Sequence, residues 1–185
     1  NLGAITAGTK AGLYTVAIYD ETAEKIPLDI DADLIGITCI TGTAPRCYAY
    51  ADYFRKKGKT VFMGGVHLSM LPNEAAQHAD VVFTGFSEQT FPQFLHDYIK
   101  GDYQKFYHQN EDFTIVGRPI PKRELLKAKH YITTKTVEAI RGCCHICSFC
   151  AYPAAFGKTV YKRPVKEVVA EIEALNSKHV VFPDV

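Results

Sequence analysis

Asp33-Leu34-Ile35-Gly36-Ile37-Thr38-Cys39-Ile40-Thr41-Gly42-Thr43-Ala44-Pro45 is the stretch from which the fold is read. Residues 34–40 are nearly all apolar, and such a strand is expected to bury both faces, as in a parallel sheet covered by helices. Thr43 can cap a following helix, and Pro45 suits its first turn, where a missing N–H costs nothing. That helix is predicted to run to Lys57, with Tyr50, Tyr53 and Phe54 on its inner face, until Gly58 stops it. Downstream the alternation continues. The pattern predicts a strand over 60–63 ending in Gly64-Gly65, a short helix over 72–78 and a strand over 81–84 followed by Gly85. A helix over 91–100, stopped by Gly101, comes next. Strand alternating with helix at this spacing is a βαβ pattern, which connects right-handedly into a parallel sheet. Residues 1–108 therefore read as a Rossmann-like, flavodoxin-like open sheet.

Upstream, Asn1-Leu2-Gly3 carries no initiator Met; residues 2–10 read as a short helix and 14–19 as a strand closing on Asp20-Glu21. An opening on a helix leads to the expectation that a first strand is missing. Residues 109–131 read as a linker, because Gly117, Pro119 and Pro121 break any helix; at most one helical turn is expected there. Residues 132–185 read as a second unit: a β-branched strand over 133–140, a helix over 165–175 opened by Pro164, and a short strand over 179–182. Two strands and one helix are too few for a self-sufficient domain, so the C-terminus is expected to be truncated as well.

Composition bounds the function. The chain has 185 residues, 47% of them hydrophobic and 22% charged, enough to bury a core. A net charge of +1 gives no strongly basic surface, which makes nucleic acid a poor partner. No apolar run approaches the roughly 18 residues of a membrane span, and no signal-peptide pattern opens the chain. The expectation is a soluble, cytoplasmic α/β protein.

Of six cysteines, four lie in Arg141-Gly142-Cys143-Cys144-His145-Ile146-Cys147-Ser148-Phe149-Cys150, while Cys39 and Cys47 stand apart in apolar segments and read as small core residues. A disulfide scaffold would spread its cysteines along a short secreted chain; a tight cluster points to metal or redox chemistry. Cys143, Cys147 and Cys150 form CxxxCxxC, and three thiolates so close can converge on one centre from a single loop, with Gly142 allowing a tight turn. Structural zinc normally takes four ligands in two separated pairs, and no second pair exists here. Zinc with Cys144 or His145 as fourth ligand stays open as an alternative. An iron–sulfur cube held by only three thiolates keeps one iron open for an outside ligand.

This loop resembles the signature of the radical S-adenosylmethionine (SAM) superfamily, CxxxCx-aromatic-C, with Phe149 in the aromatic position. In that superfamily the motif follows the first strand of a partial (β/α) barrel, as the strand over 133–140 precedes Cys143. Relatives commonly carry Pro where Cys144 stands, and Cys144 reads as a bystander. The resemblance implies that Cys143, Cys147 and Cys150 hold three irons of a 4Fe–4S cluster and that SAM chelates the fourth. An electron-donor protein then supplies the electron that cleaves SAM to a 5′-deoxyadenosyl radical, with Phe149 beside the cluster and adenine. The hard chemistry is the cofactors'; the protein supplies aim and exclusion of water.

An open parallel sheet binds ligands at the carboxyl ends of its strands. There lie Thr41-Gly42-Thr43-Ala44-Pro45-Arg46, Gly64-Gly65-Val66-His67 and Gly85-Phe86-Ser87-Glu88, with no GxGxxG and no phosphate loop. Ahead of a radical-type cysteine loop, this order is similar to the cobalamin-binding domain of class B radical SAM methylases. The resemblance implies that Thr41, Thr43, Ala44, Gly64, Gly65, Val66 and Gly85 cradle a corrin. The DxHxxG motif that supplies a cobalt-ligating histidine elsewhere is not found, and His67 sits in the wrong place for that role. The implied function is methylation of an unactivated carbon in a small-molecule substrate, with cyclisation or rearrangement by a corrin-free relative as the rival. A zinc-stabilised binding module is the rival from another class. No general acid or base can be named, and the chain by itself is expected to be inactive.

Overall fold

The computed structural model describes residues 14–184. They divide into two compact units, one of Pro27–Phe113 with His145–Gly157, the other of residues 14–26, 114–144 and 158–184. The predicted helix over 2–10 lies outside the described residues.

The sheet unit holds four strands, β1 (Leu34–Thr38), β2 (Thr60–Gly64), β3 (Val81–Thr84) and β4 (Phe106–His108), paired in parallel in the order β1-β2-β3-β4. Between them run helices α1 (Ala44–Lys56), α2 (Val66–Met70), α3 (Pro72–His78) and α4 (Thr90–Lys100). The α/β class and the open parallel sheet are as the alternation predicted. Period-2 burial sorts the two faces of β2. Val61 and Met63 join Ile35, Cys39, Cys47, Tyr48, Ala51, Phe54 and Leu68 in one core against α1 and α2. Phe62 points the other way, into a cluster with Phe83, Phe91 and Phe94, the last two on α4. Phe94 is fully buried, and burial of a Phe side chain contributes about 1.5–3 kcal/mol. Gly101 ends α4 in the left-handed conformation, at φ 72°.

Three expectations are corrected. β1 does not bury both faces: it lies at the margin of the four-stranded sheet, and Gly36 and Thr38 are exposed. Residues 14–19 alternate between half-buried and exposed as a strand would, yet join no ladder among the described residues. The long strand over 133–140 and its partner over 179–182 shrink to a single parallel bridge between Thr136 and Val181, with Val137 N donating to the Val181 carbonyl at 2.9 Å.

The second unit carries α6 (Val165–Leu175), with the predicted bounds, and the short antiparallel pair β5 (Ile140–Arg141) and β6 (Tyr161–Lys162). The parallel bridge with α6 between its two members is a βαβ arrangement, the opening step of a (β/α) barrel. The predicted linker holds two 3-10 turns, Arg123–Leu125 and Ala128–His130, where one helical turn was expected. α5 (Tyr152–Phe156), beyond the cysteines, belongs to the sheet unit.

Candidate functional site

The carboxyl edge of the sheet brings the predicted cradle residues to one place. β1 runs into a 3-10 turn, Thr41–Thr43, whose threonines are exposed, and Ala44 follows buried at the start of α1. β2 ends at Gly64, and β3 delivers Gly85. Gly65 has φ 116°, and a Cβ there would lie 2.5 Å from the Cys39 carbonyl oxygen, so the β2 turn presses backbone against backbone. The glycine is required by this approach alone. Ile40 is 59% exposed on the same edge, which leaves an apolar surface open beside the turn.

Ser69, absent from the sequence reading, ties two of these turns together. Its hydroxyl donates to the Gly65 carbonyl at 3.0 Å and accepts from the Gly85 N–H at 2.9 Å. The spacing Gly65 to Ser69 was the available signal, since a helical serine can bond the carbonyl four residues back. Gln109, also unforeseen, accepts from the Phe86 N–H at 2.9 Å. Beside them opens a cleft of about 340 Å³, lined by Ser69, Thr84, Gly85, His108, Asn110 and Phe156. Phe156 of α5 stacks on Phe86 at 4.7 Å between ring centroids, which fixes the segment just after Cys150 at this edge.

His67 is buried beneath the edge, with Nδ1 3.2 Å from the Thr41 hydroxyl and Nε2 3.5 Å from the Glu74 carboxylate. It is a core histidine hydrogen-bonded through Nδ1 alone, since the buried Nε2 has no hydrogen-bond partner and only the Glu74 carboxylate nearby. Cys39 and Cys47 are likewise buried core residues; burial above all, with Cys47 close by, pushes the Cys39 thiol up to about 12.

The cysteine loop presents a different surface. Gly142 has φ 112°, and a Cβ there would fall 2.1 Å from the Thr159 carbonyl oxygen, so the loop closes tightly at its root. Beyond the root Cys143 is half-buried, and Cys144, Cys147 and Cys150 are exposed free thiols. Phe149 is 91% exposed and His145 is exposed. The Cys150 N–H donates to the Cys147 carbonyl at 3.0 Å, a tight turn that fits two ligands three residues apart. Among the described residues no three His, Cys, Asp or Glu side chains converge as a metal site. Exposed thiols have no attraction of their own that gathers them; binding of the metal supplies it. As a donor set, three unpaired thiols within eight residues on a closed-rooted loop fit a cluster that takes thiolate ligands.

No protein-family model matches the chain. The bacteriochlorophyllide d C-8(2)-methyltransferase of Chlorobaculum tepidum is 34% identical over 179 residues, 93% of this chain and 40% of the relative. The C-12(1)-methyltransferase of the same organism is 32% identical over 180 residues, 94% of this chain and again 40% of the relative. The chain thus spans about 40% of the length of these curated relatives. Among solved structures it is similar to the radical SAM methyltransferase TsrM of Kitasatospora setae, determined with tryptophan substrate and a SAM analogue bound. The TM-score is 0.59 and the sequence identity 16%, over 89% of this chain and 38% of that one. Among the described residues no helix is long and apolar enough to cross a membrane. Nearly the whole chain is thus similar in sequence to part of two bacteriochlorophyllide d methyltransferases, and in fold to part of a radical SAM methyltransferase.

Proposed function

We propose that the protein is a cobalamin-dependent radical SAM enzyme that methylates an unactivated carbon of a small molecule. In this reading the present chain supplies the corrin cradle and the cluster loop. The observation that carries it is the grouping of Cys147, Phe149, Cys150 and α5 in one compact unit with the Gly64-Gly65 and Gly85 turns. Cys147, Cys150 and the turns read as the cradle thus belong to one unit.

Cys143, Cys147 and Cys150 would hold a 4Fe–4S cluster, and Thr41, Thr43, Ala44, Gly64, Gly65, Val66 and Gly85 would lie against a corrin. When bound, these groups supply a low-potential electron for reductive cleavage of SAM and a transferable methyl group. The chain's own residues supply placement. Gly65 keeps the β2 turn thin enough for a flat ligand to approach the backbone. Ser69 locks the Gly65 and Gly85 turns into one surface. Phe149 offers an exposed ring for packing beside the cluster and the adenine of SAM. The small-molecule substrate and the electron-donor protein follow from the same reading.

Two measurements on the protein purified anaerobically test it. Hydroxocobalamin should be retained through desalting as a red protein. After anaerobic reconstitution, iron and acid-labile sulfide should be retained in about equal amounts. A retained cluster without corrin would leave a radical enzyme whose sheet unit serves another purpose, and absence of both would remove the proposal.

A further inference from the structure

The segment leading to the cysteines carries a buried network of charges that the function above does not use. Arg118, Arg123, Arg141 and Arg163 converge on Glu138 and Glu171. The Arg163 side chain is 2% exposed and that of Glu171 is wholly buried. Ionised groups at such depth are stabilised only when each finds partners in good geometry.

Glu138 is where the pairings meet. Its carboxylate accepts from Arg141 through Nε at 2.8 Å and Nη2 at 2.7 Å, a bidentate pair, and also from Arg118. Its backbone carbonyl accepts from Arg163 Nη1 at 2.9 Å, and the same nitrogen donates to Glu171 Oε2 on α6 at 2.6 Å. The position in the chain gives this meaning. Arg141 stands immediately before Gly142 and Cys143, and Arg163 is the first residue after β6, where the loop returns. The Arg163 N–H donates to the Ala139 carbonyl at 3.0 Å, and β5 pairs with β6 across the same root. Glu138 therefore holds the outgoing root of the cysteine loop with its side chain and the returning root with its carbonyl.

We propose that Glu138 is a positioning residue for the cluster loop, acting through Arg141 and Arg163 to fix the two roots between which Cys143, Cys147 and Cys150 are presented. The inference rests on the iron–sulfur reading above. Loss of partners that orient metal ligands typically costs ten- to a hundredfold in metal affinity or activity. Glu138→Gln keeps the shape and the carbonyl contact to Arg163, and removes the charge that the Arg141 and Arg118 guanidiniums need. Arg141→Lys keeps the charge and removes the two-pronged contact. Val168→Ala is the control: Val168 is buried on α6 in the same unit but has no polar link to the loop.

The wild type and the three variants, reconstituted anaerobically, are compared by thermal unfolding, by the rate of iron release to a ferrous chelator, and by the EPR spectrum of the reduced cluster with and without SAM. Glu138→Gln should release iron roughly ten- to a hundredfold faster and lose the spectral change that SAM induces. Val168→Ala should match the wild type in both readouts even where its melting temperature falls as far. If Glu138→Gln does not fold, Arg141→Lys carries the test with the same direction of change. Wild-type release rates and spectra in the folded variants overturn the proposal, as does equally fast release from Val168→Ala. A wild type that holds no iron and sulfide removes this inference together with the cluster reading, so the two failures are distinguishable.

Discussion

A left-handed backbone leaves position 65 no substitute for glycine. At φ 116° an alanine is strained before any contact is counted, and its Cβ would stand 2.5 Å from one main-chain atom and 2.9 Å from another of Cys39. Gly65→Ala should therefore lower stability by more than about 1 kcal/mol, read as a shift in denaturant midpoint. On the proposed function it should also weaken hydroxocobalamin retention. Retention and midpoint both unchanged would mean that the β2 turn is looser than the structure places it. The cysteines divide just as sharply. Burial holds the Cys39 thiol near 12, so it stays neutral and unreactive at pH 8, whereas Cys144, Cys147 and Cys150 stand in solvent. In the metal-free protein, timed alkylation followed by peptide mapping should label those three first and Cys39 and Cys47 only on unfolding. Early labelling of Cys39 would contradict the packing around β1.

At the scale of elements, α4 is held by rings. Phe94 is fully buried among Phe62, Phe83, Phe91 and Tyr107. Phe94→Ala should cost about 3–5 kcal/mol by chemical denaturation, because rigid rings around the void collapse poorly. The β5 root has its own pH dependence. Burial would raise the Glu138 carboxyl, but the Arg141 guanidinium, by hydrogen bond and charge, and Arg118 outweigh it and hold the carboxyl below its ordinary 4.5. A carboxyl lowered by folding contributes stability that is complete above the unfolded value and lost as pH falls through the folded one. The melting temperature should therefore fall below about pH 4.5, and fall less steeply in Glu138→Gln; equal slopes would place the acid sensitivity elsewhere.

β3 and α6 were legible to the residue: β3 as a short apolar run between Asp80 and Gly85, buried on both faces, and α6 because burial of one helix face writes 3.6 spacing into the chain. The five-residue α2 and α5 and the three-residue β4 are too short to carry a period. The segment over 14–19 has the alternation of a strand without a ladder, since pairing depends on a partner that local sequence does not specify.

For the whole molecule, the sequence carries its sharpest proposal in one loop. The CxxxCxxC spacing was readable because ligands proposed to come from one loop must be close in sequence. The Arg–Glu network was not readable: Glu138 and Glu171 lie 33 positions apart, and only tertiary folding brings their arginines together. The Ser69 tie between two turns was missed for the same reason, since half of it reaches a strand that begins beyond α3. The central claim is that three thiols of one loop bind an iron–sulfur cluster and the fourth cysteine does not. Its most direct test is iron, zinc and acid-labile sulfide per chain after anaerobic reconstitution, in the wild type and in Cys143→Ala, Cys144→Ala, Cys147→Ala and Cys150→Ala. About four irons and four sulfides in the wild type and in Cys144→Ala, with most of both lost in the other three, is the predicted result. Zinc without sulfide, or a cluster that survives loss of Cys143, Cys147 or Cys150, would contradict it.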